Sequence, residues 1–421
     1  MTNPQNPENV DQIADYRWLI RDDAAHWLEQ AANDSRALVA RVAGLRKSLS
    51  AVQARLVLEQ VELRRRAVVK FPHAGQMFFT RKGLEQSTDF WVAAYKAARF
   101  PRAEPAADLC CGIGGDLAAL ALRGPAVGVD RDPVMALLAK ANLQALGGGG
   151  ASASGRVCSA EVRDFSLAEF SAWHIDPDRR PAGRRTTRVE LHDPDSAVIT
   201  RLLTGCSDAA IKLAPAAEFP GIWGGEAEAE WIGRDRQCRQ LVVWLGRLAR
   251  HPGRRCATIL THQTGGADVF ARTVVGGDAP TVALVSVLGR YVLEPDPAVL
   301  AAGLAGTLAA EHRLDALMPD GGYLTGDHAV IDDPALACFE VLESLPFDLK
   351  RLKQLLAARD VGPLEIKKRG VAEDPQAIRK RLVLRGTQPA VLLIAPLGSS
   401  VTAMVCRRRR KEEGGRGKEE G

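Results

Sequence analysis

The first seventy residues carry apolar side chains at helical spacing. Between Leu38 and Leu56 these positions recur three or four residues apart, as one face of an amphipathic helix requires. The pattern predicts helix over residues 11–70, a segment without proline. We therefore expect an N-terminal helical region over residues 1–75.

From residue 105 onwards, short apolar runs alternate with helical patterns. The first predicted strands are 106–110, 126–130 and 157–162, separated by predicted helices over 117–122 and 133–146. This alternation predicts a parallel α/β sheet with right-handed crossovers over residues 76–345. Further along, the predicted strands are 173–175, 210–213, 257–261 and 282–288, with an amphipathic helix over 241–250.

The composition shifts once more after residue 345. The predicted elements are a helix over 347–358, a strand over 363–367, a helix over 376–382 and a hairpin of 390–395 with 401–406. Asp374-Pro375 is a typical helix start, with Asp as N-cap and Pro at the first helical position. We expect a small α+β domain over residues 346–406, followed by a disordered charged tail over 407–421.

Composition narrows the class of protein. The chain has 421 residues, of which 46% are hydrophobic and 25% charged, which excludes a disordered, collagen-like or small disulfide-stapled chain. Its eight cysteines form no Cys-x-x-Cys pair and no zinc-finger spacing, so no metal is implied. No apolar run approaches the length of a membrane span. The default expectation is a reduced, cytoplasmic protein.

Charge is unevenly distributed along the chain. The formal net charge is +5, but residues 346–385 hold 11 Lys or Arg against 5 acids, and residues 407–421 hold 7 against 4. The first 345 residues therefore carry a net −4. A segregated basic end is the electrostatic footprint expected for a polyanion such as nucleic acid. A solvated basic face is the alternative.

The strongest local motif is Asp108-Leu109-Cys110-Cys111-Gly112-Ile113-Gly114-Gly115-Asp116, followed by Asp130 at the end of the next predicted strand. Gly112 and Gly114 allow a sharp turn and a close approach of backbone to ligand. The next helix N-terminus offers unpaired N–H groups, and Asp130 suits the two hydroxyls of a ribose. A strand-to-helix turn without ligand is the alternative.

The motif does not fit a dinucleotide. Leu117 stands where the third Gly of Gly-x-Gly-x-x-Gly would be, and Asp108 and Asp116 bracket the loop. Two carboxylates repel a pyrophosphate but suit a cationic ligand with an ammonium and a sulfonium. S-adenosylmethionine is such a ligand, whereas NAD is not.

This loop resembles that of class I S-adenosylmethionine-dependent methyltransferases, in a form close to RNA guanine-N2 methyltransferases of the trimethylguanosine-synthase type. Three further segments, Leu84–Ser87, Ile175–Arg180 and Pro363–Gly370, are similar to a bacterial family that pairs this fold with a C-terminal THUMP-like domain. The resemblance covers most of the chain from about 50 to 406. It implies a Rossmann-like sheet, an S-adenosylmethionine cofactor and a C-terminal domain that binds structured RNA.

The same resemblance assigns the cofactor-binding residues. These are Asp108, Cys110, Gly112, Gly114, Gly115, Asp116, Asp130, Arg131, Asp164 and Phe165. Asp130 would bind the ribose. Asp164 would receive the adenine amino group while Phe165 flanks the ring; alternatively, Asp164 is a helix N-cap before Leu167.

On the acceptor side, Asp176-Pro177 follows the predicted fourth strand. Amino-methylating relatives carry Asn/Asp-Pro-Pro-aromatic here, and the acidic or amide oxygen orients the target amine. This chain departs from that pattern, with Asp178 and Arg179 in the last two places. The alternative for Asp176 is a β-turn Asp before Pro.

The candidate substrate contacts are all basic. They are Arg179, Arg180, Lys367, Lys368 and Arg369. Arginine pairs with phosphates and stacks on bases, although a solvated loop is the alternative at 179–180.

The sequence thus predicts a methyltransferase that acts on a base in structured RNA, either tRNA or rRNA. Two alternatives remain: a methyltransferase of a small molecule or protein, and a non-catalytic RNA-binding protein that retains the cofactor fold.

Overall fold

The computed structural model describes residues 7–147, 155–180, 186–218, 223–262, 269–277 and 282–410. The chain divides into two compact units. The first comprises Met1–Glu228 and Leu241–Pro252, and the second comprises Ala229–Gln240 and Gly253–Gly421. This division differs from the boundary at 345/346 that the composition indicated.

The first unit begins with a helical region, broken into shorter helices. These are α1 (Pro7–Leu19), α2 (Asp22–Asn33), α3 (Leu38–Leu45), α4 (Ala51–Ala67), α5 (Arg81–Gln86) and α6 (Phe90–Ala97). The break before α4 has a local cause, because Ser50 and Gln53 form a capping box. The predicted helical pattern over 11–70 therefore persists as several packed helices with a shared apolar core.

A parallel sheet follows in the first unit. Its elements are β1 (Ala106–Leu109), α7 (Gly115–Ala121), β2 (Ala126–Asp130), α8 (Pro133–Gly147), β3 (Gly155–Ser159), β4 (Ala172–Ile175), α9 (Ser196–Gly205) and β5 (Ala209–Leu213). The strand order is β3-β2-β1-β4-β5. All four pairings are parallel, so the carboxyl ends of these strands meet at one edge, where ligands bind in open α/β sheets.

The predicted helix over 241–250 is wrong. Strand β7 (Gln237–Trp244) occupies its first half, and a 3-10 turn, Gly246–Leu248, follows. Residues 241–244 pair antiparallel with β5 and are fully buried. A short apolar run bordered by polar residues does not distinguish a buried strand from a helix, and its β-branched and aromatic content favours the strand.

The second unit contains β6 (Glu228–Arg234), which begins at the last residue of the first unit, with β8 (Arg255–His262) and β9 (Val269–Val275), in the order β6-β8-β9. It also contains a seven-stranded sheet, ordered β11-β12-β10-β13-β16-β15-β14. Its strands are β10 (Tyr291–Pro295), β11 (Asp315–Ala316), β12 (Leu324–Gly326), β13 (Leu336–Pro346), β14 (Val361–Lys368), β15 (Gln388–Leu397) and β16 (Ser400–Arg409). The helices of the second unit are α10 (Pro297–Ala302), α11 (Ala305–Glu311), α12 (Leu349–Ala358) and α13 (Pro375–Leu382).

The predicted strand over 282–288 is also wrong. This stretch contributes a single bridge, from Leu284 to Ala316. Leu284 and Val287 are 60% and 75% exposed, so the apolar run is not a core strand.

The C-terminal elements follow their predictions closely. Helices α12 and α13 and the β15–β16 hairpin are present, and Asp374 caps α13 by accepting hydrogen bonds from two backbone N–H groups. The expected disorder does not extend to Arg407–Arg409, because these residues continue β16 beside β13. Residues 411–421 lie outside the described residues. Among the described helices, none is long and apolar enough to cross a membrane.

Candidate active site

The loop after β1 has the backbone geometry that its glycines predicted. Cys110, Gly112 and Gly114 have φ angles of 55°, 54° and 85°, in the left-handed region. A Cβ on Gly114 would lie 3.3 Å from the Cα of Ala139, so close packing against α8 requires glycine there. At Gly112, by contrast, no described heavy atom lies within 4 Å of a Cβ. The loop therefore presents bare backbone to open space at Gly112.

Asp130 fixes this loop to the end of β2. Its Oδ2 accepts a hydrogen bond from the Gly112 N–H at 2.8 Å, and its Oδ1 accepts one from the Asp132 N–H at 2.9 Å. Burial raises the pKa of the Asp130 carboxyl despite these bonds. Asp130, the residue predicted to bind the ribose, thus lies beside the glycine loop, and its side chain has a fixed orientation.

A buried polar network lies beneath the loop. Asp108 Oδ1 is 2.7 Å from His174 Nδ1, and His174 Nε2 is 2.9 Å from the Lys96 ammonium. Because an ammonium only donates, His174 Nε2 accepts and Nδ1–H donates to Asp108. Lys96 also pairs with Asp116 Oδ1 at 2.7 Å, and the Thr88 hydroxyl donates to Asp116 Oδ2 at 2.6 Å.

In this network Asp116, one of the predicted cofactor contacts, has internal partners. Both of its oxygens are bonded, to Lys96 and Thr88. Burial alone would raise the pKa of Asp116, but the Lys96 ammonium holds it well below its usual range. The negative charge of Asp116 is therefore matched within the protein.

Asp108 differs from Asp116. It is 1% exposed, and its Oδ2 has no hydrogen-bond partner in the described part of the chain. Burial raises the pKa of the Asp108 carboxyl. Asp108 thus has one bonded oxygen and one buried, unsatisfied oxygen beside the glycine loop.

Asp176, the residue predicted to orient the target amine, lies at the end of β4. The Asp176 N–H donates to the Leu109 carbonyl at 3.2 Å, which joins the ends of β4 and β1. Asp176 Oδ2 lies 2.5 Å from the Lys212 ammonium on β5, which also contacts the Gln86 carbonyl at 3.3 Å. Burial would lower the pKa of Lys212, but Asp176 and Asp116 raise it.

Sequence reasoning missed both lysines. Lys212 is the one charged residue in the strand Ala209–Leu213, and Lys96 lies on an otherwise apolar helix, Phe90–Ala97. A single lysine in an apolar element is the only available signal, because a buried lysine needs a partner. At neither position does a local sequence motif identify the residue with which the lysine pairs.

The chain after Asp176 is tied to neighbouring segments. Asp178 forms a backbone bridge with Asp193, and its carboxylate accepts from the Lys82 ammonium at 3.3 Å and the Arg180 N–H at 3.0 Å. The Arg131 guanidinium, a predicted cofactor contact, pairs with Asp193. The Arg179 carbonyl accepts from the Thr186 N–H at 3.0 Å.

Asp164 and Phe165 follow β3, at the place predicted for adenine contacts. Asp164 ends a 3-10 turn, Val162–Asp164, and is exposed. The Phe165 ring packs against Phe170 at 5.6 Å between centroids. No helix begins at Leu167 in this described stretch, so Asp164 is not a helix N-cap there.

The two cysteines of the loop lack the lowered pKa of a reactive thiol. Cys110 and Cys111 are both free thiols, and burial raises the pKa of each well above its ordinary value. A thiol held in its protonated form is a poor nucleophile. These residues therefore pack within the turn.

The predicted basic contacts at the end of β14 have internal partners. Lys367 lies 2.8 Å and Arg369 lies 3.4 Å from the carboxylate of Glu294, which is 8% exposed. The Lys368 ammonium donates to the Val371 carbonyl at 3.1 Å. These three predicted substrate contacts therefore each have a partner within the second unit.

One cluster of possible metal ligands occurs among the described residues, at Glu311, His312 and Asp333. The Arg272 guanidinium already bonds to both carboxylates, and His312 Nε2 lies 2.8 Å from Asp333. Both carboxylates of this cluster are therefore already paired with an internal cation.

Comparison with known proteins supports this chemistry. The THUMP domain-like family model matches residues 336–408, which include β13, α12, β14, α13, β15 and all but the last residue of β16. Two strains of Mycobacterium tuberculosis carry an uncharacterized S-adenosylmethionine-dependent methyltransferase that is 38% identical over 364 residues, covering 83% of this chain and 96% of the relative. The chain belongs to the S-adenosylmethionine-dependent methyltransferases.

A solved structure agrees with the fold of this methyltransferase. A protein of Porphyromonas gingivalis W83, provisionally designated a methyltransferase, superposes with a TM-score of 0.71 at 20% identity, covering 95% of this chain and 99% of that chain. The predicted α/β fold, enzyme class and cofactor are thereby confirmed.

The residues of the methyltransferase fit S-adenosylmethionine. Gly112 leaves open the space that a Cβ would fill, and the buried Oδ2 of Asp108 lacks a partner in the described residues. With Asp116 neutralised by Lys96, Asp108 and Asp130 remain as the acidic groups beside the loop. A cationic cofactor complements them.

Proposed function

We propose that this methyltransferase modifies a base in structured RNA, either tRNA or rRNA. The observation that carries the proposal is the state of Asp176. Lys212 holds its Oδ2, its Oδ1 has no hydrogen-bond partner within the described ranges, and its side chain is 31% exposed. A free, oriented carboxylate oxygen can accept a hydrogen bond from an N–H group of the molecule that receives the methyl group.

The cofactor would lie along the carboxyl ends of β1, β2 and β3. Asp130 would accept the ribose hydroxyls, and Asp108, Gly112 and Gly114 would surround the methionine part. When bound, S-adenosylmethionine supplies an electrophilic methyl group on a cationic sulfonium. The further candidate contacts along the same edge are Cys110, Gly115, Arg131, Asp164 and Phe165.

Asp176 would orient the target amine, so that its lone pair points along the line of transfer. Fixing this geometry lowers the entropy cost of the reaction. Pro177 limits the backbone after Asp176, and Lys212 acts as a positioning residue through the carboxylate. Arg179 and Arg180 follow directly and would contact the base or a phosphate.

RNA as acceptor is supported by two observations in the second unit. The THUMP domain-like match spans residues 336–408, and residues 346–385 carry 11 Lys or Arg against 5 acids. Phosphate contacts from such a region position a substrate without reading its sequence.

Calorimetry with S-adenosylmethionine tests the cofactor site. Asp130→Ala should weaken binding at least tenfold, a loss of about 1.4 kcal/mol or more. Glu169→Ala, which removes an exposed acid elsewhere in the same unit, should leave binding unchanged. Absence of heat with the wild type would overturn the assigned site.

Label transfer tests the acceptor. Methyl-labelled S-adenosylmethionine is incubated with total RNA, protein and metabolites from a strain that lacks the gene. The proposal expects label in RNA, lost with Asp176→Ala while cofactor binding persists. Label in protein or metabolites alone would contradict the proposal that RNA receives the methyl group. Cofactor binding without any labelled acceptor would favour a non-catalytic RNA-binding protein.

A further inference from the structure

Helices α12 and α13 cover the same face of the seven-stranded sheet. Leu352 and Leu356 of α12 share one core with Ile378 and Leu382 of α13, and Leu364 of β14 lies in the same cluster. Two helices that bury one side on a common sheet face leave their opposite sides outward. The outward positions of this pair therefore belong to one surface.

That surface is basic. We call it the basic helix pair, and it consists of Lys350, Arg351, Lys353, Arg379, Lys380 and Arg381. All six residues are exposed. Across the ranges that the structure describes, their side chains form no ion pair and no hydrogen bond, unlike Lys367 and Arg369.

Nearby acids do not neutralise the basic helix pair. Asp348 accepts from the Arg351 N–H at 2.8 Å and thereby caps α12. Asp374 caps α13 in the same way, and Asp360 accepts from the Thr387 hydroxyl at 2.6 Å. These three carboxylates accept from backbone or hydroxyl donors, and among the described residues none of them forms an ion pair with the basic helix pair.

We propose that the basic helix pair docks the sugar–phosphate backbone of a folded RNA. This inference rests on the RNA acceptor proposed above and names the surface that holds it. Exposed, unpaired Lys and Arg release counterions from a polyanion when they bind it. Neither α12 nor α13 contains an aromatic residue, so base stacking of the kind used for single strands is not available from these helices.

The experiment measures the binding of a fluorescein-labelled tRNA transcript by anisotropy over a range of KCl concentrations. The test variant of the full chain combines Lys350→Gln, Lys353→Gln, Arg379→Gln and Lys380→Gln. The control variant removes an equal number of charges from exposed positions of the first unit that pair with no described residue. Its substitutions are Arg46→Gln, Lys47→Gln, Arg55→Gln and Lys140→Gln.

We expect the test variant to bind at least tenfold more weakly. Its slope of log Kd against log salt should fall by about one for each phosphate that the side chains no longer neutralise. The control variant should retain the wild-type slope. Equal slopes in the test variant and wild type would overturn the proposal that the basic helix pair docks RNA. An equal loss of RNA affinity in the test and control variants would overturn it too.

A second readout separates this inference from the proposed function. S-adenosylmethionine binding should be the same in all three proteins, which also reports that the variants are folded. If the wild type binds cofactor but no RNA, the RNA acceptor and the docking surface both fail. If the test variant loses binding only to phosphatidylserine vesicles and keeps RNA binding, the surface belongs to a membrane and the inference is overturned.

Discussion

At the scale of single residues, the site is defined by how its carboxylates are partnered. Asp116 is paired to a buried lysine and Asp130 accepts from two backbone N–H groups, whereas Asp108 has one oxygen without a partner in the described part of the chain. Asp176 has one oxygen bonded and one free among the described contacts. Four identical functional groups thus acquire four different capacities from their surroundings.

Removing Lys96 should strongly destabilise the first unit. Lys96→Met leaves Asp116 buried without its cation, at a cost of about 3–5 kcal/mol. Lys82→Met is the matched control, since Lys82 pairs with Asp178 at 3.3 Å while 62% exposed, and such pairs contribute less than about 1 kcal/mol. Differential scanning calorimetry measures both. Similar losses of thermal stability in Lys96→Met and Lys82→Met would contradict the conclusion that buried Asp116 depends on Lys96.

The same pair predicts an acid dependence. The pKa of Asp116 is lowered by Lys96, so its contribution to stability is complete above the unfolded pKa of about 4 and is lost as pH falls towards the folded value. In Lys96→Met the buried carboxylate has no cation and its pKa is raised instead, so protonation of Asp116 stabilises that variant. The stability difference between wild type and Lys96→Met should therefore begin to narrow above about pH 4 and continue to narrow below it. A difference that stays constant through this range would exclude the pair as its cause.

At the scale of elements, the turn from β1 to α7 combines a ligand surface with a packing contact. Gly112 faces open space, whereas Gly114 lies against the backbone of Ala139. Both residues have φ above zero, where a side chain costs about 1–2 kcal/mol. The two glycines nevertheless serve different neighbours.

Alanine substitution should distinguish them. Gly112→Ala should reduce S-adenosylmethionine affinity at least tenfold with a stability loss of about 1–2 kcal/mol, because its Cβ enters the proposed cofactor space. Gly114→Ala should lose more stability, because α8 must also shift. Calorimetric binding and thermal unfolding of each variant give the comparison. A greater loss of stability in Gly112→Ala than in Gly114→Ala would contradict the conclusion that Gly114 is the residue packed against α8.

Elements with a local signature were predictable from the sequence, and those that depend on distant partners were not. The glycine loop, Asp130 and the cap at Asp374 follow from residue type and spacing. Strand β7 did not, because the apolar run 241–244 is a strand only through its pairing with β5. Likewise, the charge of Lys367 is visible in the sequence, but its partner Glu294 is not.

At the scale of the whole molecule, the chain passes between its two compact units at residues 228/229, 240/241 and 252/253. The second unit therefore includes β6, which precedes the rest of that unit and pairs with β8 from Ala229 to Arg234. A fragment of residues 253–421 lacks β6 and exposes the edge of β8, which carries buried apolar residues.

We expect that fragment to aggregate, whereas the full chain stays monodisperse under the same conditions. Size-exclusion chromatography and circular dichroism of both proteins measure this. A fragment that is monodisperse and shows cooperative unfolding would contradict the need for β6.

The three crossings also bear on how such a gene can change. A THUMP-like module joined by one linker can be exchanged between genes by a single recombination event. Here, replacing the second unit intact requires all three splice points to be compatible at once, and two of them fall inside strands, β6 and β7. The two units are therefore expected to be inherited together, and chimaeras made at one splice point should fail even between similar parent proteins.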